Sequence, residues 1–182
     1  MQSFDFAVLN FIYYNFRCGI LDVLMPIVSA LGNDGMVWIV LAIVLLIIRR
    51  YREAGVALCF ALALDLIVCN LVLKPLVGRI RPYDVNTAIQ LLITSPTDYS
   101  FPSGHTAASF TAVSALYFSH RKKLWKPALV LAVLIAFSRL YLYVHYPSDV
   151  LAGAVIGTFI GYLGCRAAGA LLDLWKRRRK PK

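Results

Sequence analysis

The sequence predicts an all-α fold, a polytopic membrane helical bundle of about six transmembrane helices preceded by an amphipathic N-terminal segment. Three observations carry that prediction. Sixty per cent of the 182 residues are hydrophobic and only 15% are charged, where a soluble domain has about 25%. Mean hydropathy is +0.71, so a soluble helical protein would lack the polar surface it needs. The basic residues are gathered between apolar runs, as Arg49, Arg50 and Arg52, then Arg121, Lys122, Lys123 and Lys126, then the tail from Lys176. A net charge of +10 invites nucleic acid as a partner. That placement instead follows the positive-inside rule and anionic headgroups, so no nucleic-acid role is expected.

The elements follow in order, within a single domain over residues 1–182. Residues 3–16 are rich in Phe and Tyr and interrupted by Asp5, Asn10 and Asn15, the pattern of an interfacial helix or of an irregular start to the first span. Residues 18–32 form a short run broken by Asp22 and Pro26, closing in the turn Gly32-Asn33-Asp34-Gly35. Runs at 36–48 and 54–73 follow, then a polar outer-face loop over 75–101. Residues 104–119 are rich in Gly, Ala, Ser and Thr, which lets backbones approach closely and places this span inside the bundle. Residues 124–144 and 149–173 complete six spans, the last with Gly153, Gly157, Gly161 and Gly164 as a packing face.

Counted this way, both termini and the basic tail 176–182 are cytoplasmic, and Arg17 begins the first span on that side. Only Lys74, Arg79, Arg81 and Arg139 remain for the opposite, extracytoplasmic face. Cations there run against the positive-inside rule, so they call for a specific explanation. The N-terminus lacks the basic region of a cleavable signal. Cys18, Cys59, Cys69 and Cys165 are scattered without metal-ligand spacing and predict neither disulfides nor zinc.

The same face gathers the chain's reactive groups. They fall in Lys74-Pro75-Leu76-Val77-Gly78-Arg79-Ile80-Arg81-Pro82, in Pro102-Ser103-Gly104-His105, and in the stretch from Ser138-Arg139 to His145 and Asp149. Ionisable groups at membrane depth are costly and so point to function. Three cations can surround one anion, Arg as a planar fork and Lys as a point charge. The start of a helix after Pro102 adds free N–H groups, and Gly104 permits close approach of backbone to a ligand. Asp149, in the first turn after Pro147, can fold back toward His145. A carboxylate accepting one ring N–H would leave the other nitrogen free to attack phosphorus.

These segments resemble the three-part signature of the type 2 phosphatidic acid phosphatase superfamily, K-x6-R-P, P-S-G-H and S-R-x5-H-x3-D, with every fixed position matched between residues 74 and 149. The resemblance implies that Lys74, Arg81, Ser103, Gly104 and Arg139 bind phosphoryl oxygens. It implies that His105 protonates the leaving group, that His145 is the nucleophile, and that Asp149 orients it. No cofactor is expected. Asp84 and Asp98 stand apart and read as turn residues, so no metal site is expected either. Arg79 falls on no fixed position and reads as a headgroup contact, Ser138 as a local packing or capping residue, and His120 as a solvated loop residue.

Asp65 and Arg166 remain within spans, either as a pair or with Arg166 snorkelling to the inner surface. The expected protein is a multi-pass enzyme of a bacterial cell membrane that hydrolyses a lipid phosphate. Undecaprenyl diphosphate is the favoured substrate, with phosphatidylglycerol phosphate and phosphatidic acid as alternatives. A small lipid transporter or flippase is the competing class, but it would not need His105, His145 and Asp149 together. Oligomeric state is left open by the sequence.

Overall fold

The computed structural model describes residues 2–119 and 123–178, with side chains for 3–119 and 123–174. His120, Arg121, Lys122 and the tail side chains beyond 174 therefore lie outside the described residues. The rest is helical, with no strand among the described residues. The elements are α1 (Gln2–Phe16), α2 (Gly19–Leu31), α3 (Met36–Ile47) and α4 (Arg52–Asp65), which continues through a π-helical stretch, Leu66–Leu73. Then come α5 (Lys74–Val77), α6 (Pro82–Val85), α7 (Gly104–Phe118), α8 (Trp125–Tyr141) and α9 (Pro147–Arg178).

Helix α7 is the axis, packed between α4, α8 and α9. Its Thr106, Ala107, Ser109, Thr111, Ala112 and Ala115 are all buried. The hydroxyls are satisfied inside the bundle: Thr111 donates to the Gly157 carbonyl at 3.0 Å and Ser114 to that of Thr158 at 2.6 Å. This is why a span so rich in small polar residues can be interior. A methyl group on Gly157 would stand 2.3 Å from the Ala107 carbonyl oxygen, and one on Gly161 2.4 Å from that of Thr111. The glycine face of α9 thus permits backbone contact with α7. Large apolar side chains such as Ile43, Ile67, Leu71, Val130, Val155 and Phe159 point outward, as they do in a protein whose solvent is lipid.

Helix length and hydropathy alone do not establish the expected count of about six spans. Among the described residues two helical stretches are long and apolar enough to cross a membrane, Arg49–Val85 and Pro147–Leu174. A third is added if the pair Gly19–Leu31 and Asn33–Ile47, bent by 47°, counts as one. Helices α7 and α8 have 15 and 17 residues, short of the ~20 that cross a hydrocarbon core.

Helix α2 does not run from one end of the bundle to the other. Near its start Asp22 accepts a hydrogen bond from Tyr141 at 2.6 Å, and near its end Ser29 accepts one from Arg139, both donors in the last turn of α8. Arg17 likewise donates to the Gln90 carbonyl of the long loop. Both ends of α2 therefore lie at the end of the bundle that holds Lys74 and His145. Its Asp22 carboxylate is satisfied there by the Tyr141 hydroxyl.

Asp5 of α1 bonds Ser148 at the start of α9, so α1 lies at the end of the bundle where α9 begins.

Candidate active site

A cavity of about 1040 Å³ is enclosed by α2, α3, α4 with its π-helical continuation, the starts of α5 and α7, and the end of α8. Its polar end is lined by Lys74, Arg81, Asp98, Gly104, His105, Arg139 and His145. The three sequence motifs, spread over residues 74–149, are thus brought to one wall. From there the cavity passes Asn70 and Asp65 to the apolar Ile39, Ile43, Leu62 and Leu66.

Lys74 ends the π-helical stretch, a wide turn of the kind found at functional sites. It is buried, and its Nζ is ion-paired to Asp98 Oδ2. Arg81 sits in extended backbone before Pro82 and is held on several sides. Nε donates to the Asp98 carbonyl at 2.7 Å, Nη2 to Asp98 Oδ1 at 2.6 Å, and Nη1 to the Val144 carbonyl at 2.7 Å. Arg139, 2% exposed, gives Nη1 to Ser29, and its Nε has no hydrogen-bond partner among the described residues.

The second motif enters as the start of α7. Gly104 leaves room for two polar side chains: a Cβ would stand 2.9 Å from Asn70 Oδ1 and 3.6 Å from Lys74 Nζ. Ser103 is fully buried with its hydroxyl 3.0 Å from that of Thr106; its side chain is not among those lining the cavity. His105 faces the cavity, with Nε2 2.9 Å from Asn33 Oδ1.

His145 is presented by a tight connection between α8 and α9, in which Tyr143 adopts φ +60°. This left-handed conformation is strained for a non-glycine residue. It is held by packing and by the Tyr143 hydroxyl, which donates to Asn10 at 2.7 Å. His145 is 1% exposed. Its Nδ1 lies 2.8 Å from the Ser100 carbonyl, which only accepts, and its Nε2 lies 3.3 Å from Arg81 Nη1, which only donates. The proton therefore sits on Nδ1 and the lone pair on Nε2, toward the cations. Burial, then the charges of Arg81, Arg139 and Lys74, hold the imidazole pKa well below its ordinary value, so the ring is neutral and nucleophilic.

Asp149 differs from its expected role as direct acceptor of the His145 proton. Its Oδ2 is 3.7 Å from Nδ1, and Ser100 takes that bond instead. Both carboxylate oxygens are occupied elsewhere, Oδ1 by Arg79 at 2.5 Å and Oδ2 by the Ser100 hydroxyl at 2.5 Å and the Tyr146 N–H at 3.0 Å. Asp149 fixes the loop that carries His145 rather than gripping its ring.

Arg79 is no headgroup contact. It bridges Asp149 to the buried Asp5 at 2.7 Å and lies 3.9 Å over the Tyr146 ring. Asp98 is no isolated turn residue, since it joins Lys74 and Arg81. Burial alone would raise its carboxyl pKa, but those two cations bring it down to about 2. Motif spacing gave no sign of Asp5, Asn33, Asp98 or Ser100; the one available signal was the excess of cations on this face, which demanded counter-charges. Asp65 accepts from Thr111 at 3.4 Å and lines this cavity, whereas Arg166 lines a smaller one at the far end. Of the two alternatives for these residues, the pair is not formed. Among the described residues no group of three or more His, Cys, Asp or Glu is arranged to hold a metal ion.

Residues 54–172 match the model of the PAP2 superfamily. The chain belongs to that superfamily. It is 35% identical over 161 residues to an undecaprenyl-diphosphatase of Sulfolobus acidocaldarius, covering 88% of this chain and 77% of the relative. Among solved structures it is similar to LpxE of Aquifex aeolicus, with TM-score 0.76 and 33% identity over 88% of this chain and 94% of that one. It is also similar to a transmembrane PAP2 type phosphatidylglycerolphosphate phosphatase from Bacillus subtilis, with TM-score 0.69 and 26% identity over 98% and 87%. The family match begins at residue 54, so Asp5, Ser29 and Asn33 lie outside it.

Proposed function

We propose that this membrane phosphatase removes the terminal phosphate of a lipid through a phosphohistidine intermediate, with His145 Nε2 as the nucleophile. The observation that carries the reading is the orientation of His145: its Nδ1 is pinned to Ser100, and its lone pair is turned toward Lys74, Arg81 and Arg139. The cations and the first-turn N–H groups at Gly104 hold the phosphoryl oxygens and take up the charge that develops on them. As Nε2 bonds to phosphorus, the P–O bond to the leaving group breaks. Its electron pair stays on the leaving oxygen, which takes a proton from His105. Water then attacks phosphorus while His105 accepts its proton, the N–P bond breaks, and inorganic phosphate leaves with His145 regenerated. Ser103 supports the second motif from behind, and Asp149 holds the His145 loop.

A lipid diphosphate of the undecaprenyl type is the favoured substrate, supported by the relative so named and by a cavity that runs from the cations into apolar lining. Phosphatidylglycerol phosphate and phosphatidic acid are the next candidates. Phosphate release from the purified protein in detergent should fall at least ~10³-fold in His145→Ala with the helical spectrum unchanged. Release that persists in that variant would overturn the assignment.

The arrangement we favour has five passages of the chain between the two ends of the bundle, by α3, by α4 through α5, and by α7, α8 and α9, of which Arg49–Val85 and Pro147–Leu174 reach full membrane length on their own. The site end is extracytoplasmic, with residues 3–16 as an interfacial helix and 75–101 as the loop there. Arg49, Arg50, Arg52, Lys123 and Lys126 face the cytoplasm. Single thiols in the 86–98 loop and near residue 3, in a cysteine-free background, should both label from outside intact cells. Labelling of residue 3 only after permeabilisation would restore six crossings.

A further inference from the structure

Asp98 stands where a substrate would have to bind. One carboxylate oxygen is on Lys74 Nζ and the other on Arg81 Nη2 at 2.6 Å, so a single anion bridges two of the three cations at the polar end of the cavity. Two oxygens on two cations is also how a phosphoryl group would engage them. The residue is placed, not loose. Its carbonyl accepts from Arg81 Nε at 2.7 Å, Pro96 before it is bonded by Tyr83, and Ser100 after it donates to the Arg79 carbonyl at 2.9 Å. Yet its side chain is 49% exposed, so the carboxylate can move aside without unmaking the core.

We propose that Asp98 is a specificity-determining residue, an internal competitor that a substrate phosphate must displace from Lys74 and Arg81. The inference rests on the phosphatase reading above and adds what the site rejects. Lys74 and Arg81 sit at a membrane boundary crowded with phosphodiester headgroups. Each phosphodiester carries one negative charge, no more than Asp98 itself, and gains little by replacing it. A terminal phosphate carries about −1.5 to −2 at neutral pH and has a further free oxygen for Arg139, whose Nε is unpartnered. Discrimination then comes from a built-in penalty against the weaker anion as well as from attraction of the stronger one.

The test compares wild type with Asp98→Asn and Asp98→Ser in detergent micelles, using a lipid phosphate as substrate and two probes, inorganic phosphate and phosphatidylglycerol. Loss of a half-exposed competing charge should lower KM and tighten inhibition by inorganic phosphate by roughly threefold to tenfold. Phosphatidylglycerol should inhibit wild type only weakly and should become a clear competitive inhibitor of both variants. Thermal stabilisation by inorganic phosphate should be larger in both variants than in wild type. A raised or unchanged KM with unchanged phosphate inhibition would make Asp98 a mere support for the cations and overturn the proposal, as would failure of both variants to fold. If wild type releases phosphate from no lipid, the phosphatase reading fails. The thermal shift with inorganic phosphate still decides the role of Asp98.

Discussion

Two parts of the chain meet at the cavity and contribute differently. Residues 74–149 supply the cations and both histidines that line its polar end, while residues 5–33 reach the same end chiefly to hold those groups in place. Asp5 holds Arg79 and the start of α9, Ser29 holds Arg139, and Asn33 holds His105. The reactive part lies largely within the family match and the holding part outside it. The contrast teaches that a motif can carry the reactive groups while their rigidity is supplied by buried partners far away in the sequence.

Breaking the junction between the two parts should have the largest effect. Arg79 offsets two carboxylates at once, Asp5 at 2% and Asp149 at 0% exposure. Arg79→Gln leaves them buried and facing each other, and removing one partner of such a network costs about 3–5 kcal/mol. Thermal unfolding should register that loss. The folded fraction should show kcat lower by about 10²-fold with KM nearly unchanged, because the loop carrying His145 loses its anchor while the cations remain. Asp5→Asn should be milder, about 1–3 kcal/mol and about tenfold in kcat, since the amide can still accept from Ser148. If Asp5 acts through Arg79, the double variant should lose little more than Arg79→Gln alone. Additive losses would show that α1 works independently of the motif.

The two parts also differ in how far the sequence reveals them. The cations and histidines were legible because phosphoryl chemistry demands those residue types, and cations on the wrong face of a membrane protein stand out. The interior position of α7 and the glycine face of α9 were legible too, since small residues at helical spacing serve close packing. The holding contacts were not. A carboxylate such as Asp98 or Asp5 looks the same in a sequence whether it is solvated or neutralised by an arginine many residues away. The contacts of α2 were hidden for a similar reason: an apolar run looks the same in a sequence whichever helices it lies against, and its bonds to Tyr141 and Arg139 appear only in the fold. Ser100 was missed because its carbonyl, not its side chain, makes the decisive bond to His145.

The smallest expected effect is the most selective. Asn33 touches His105 but neither His145 nor its loop, with Oδ1 2.9 Å from Nε2, and the Gly32 backbone packs so closely that a Cβ there would stand 2.8 Å from the ring. Removing the amide in Asn33→Ala frees the imidazole to rotate without exposing any buried charge, so stability should change by only about 1 kcal/mol. The kinetic cost should appear only where proton donation matters. A lipid alkoxide is a poor leaving group and needs its proton, so kcat on a lipid monoester should fall by about fivefold to tenfold. A p-nitrophenolate leaves without one, and p-nitrophenyl phosphate should be hydrolysed at close to the wild-type rate. Asp5→Asn, which disturbs the nucleophile, should slow both substrates alike. Equal losses on the two substrates in Asn33→Ala would mean that Asn33 supports the whole cavity rather than His105.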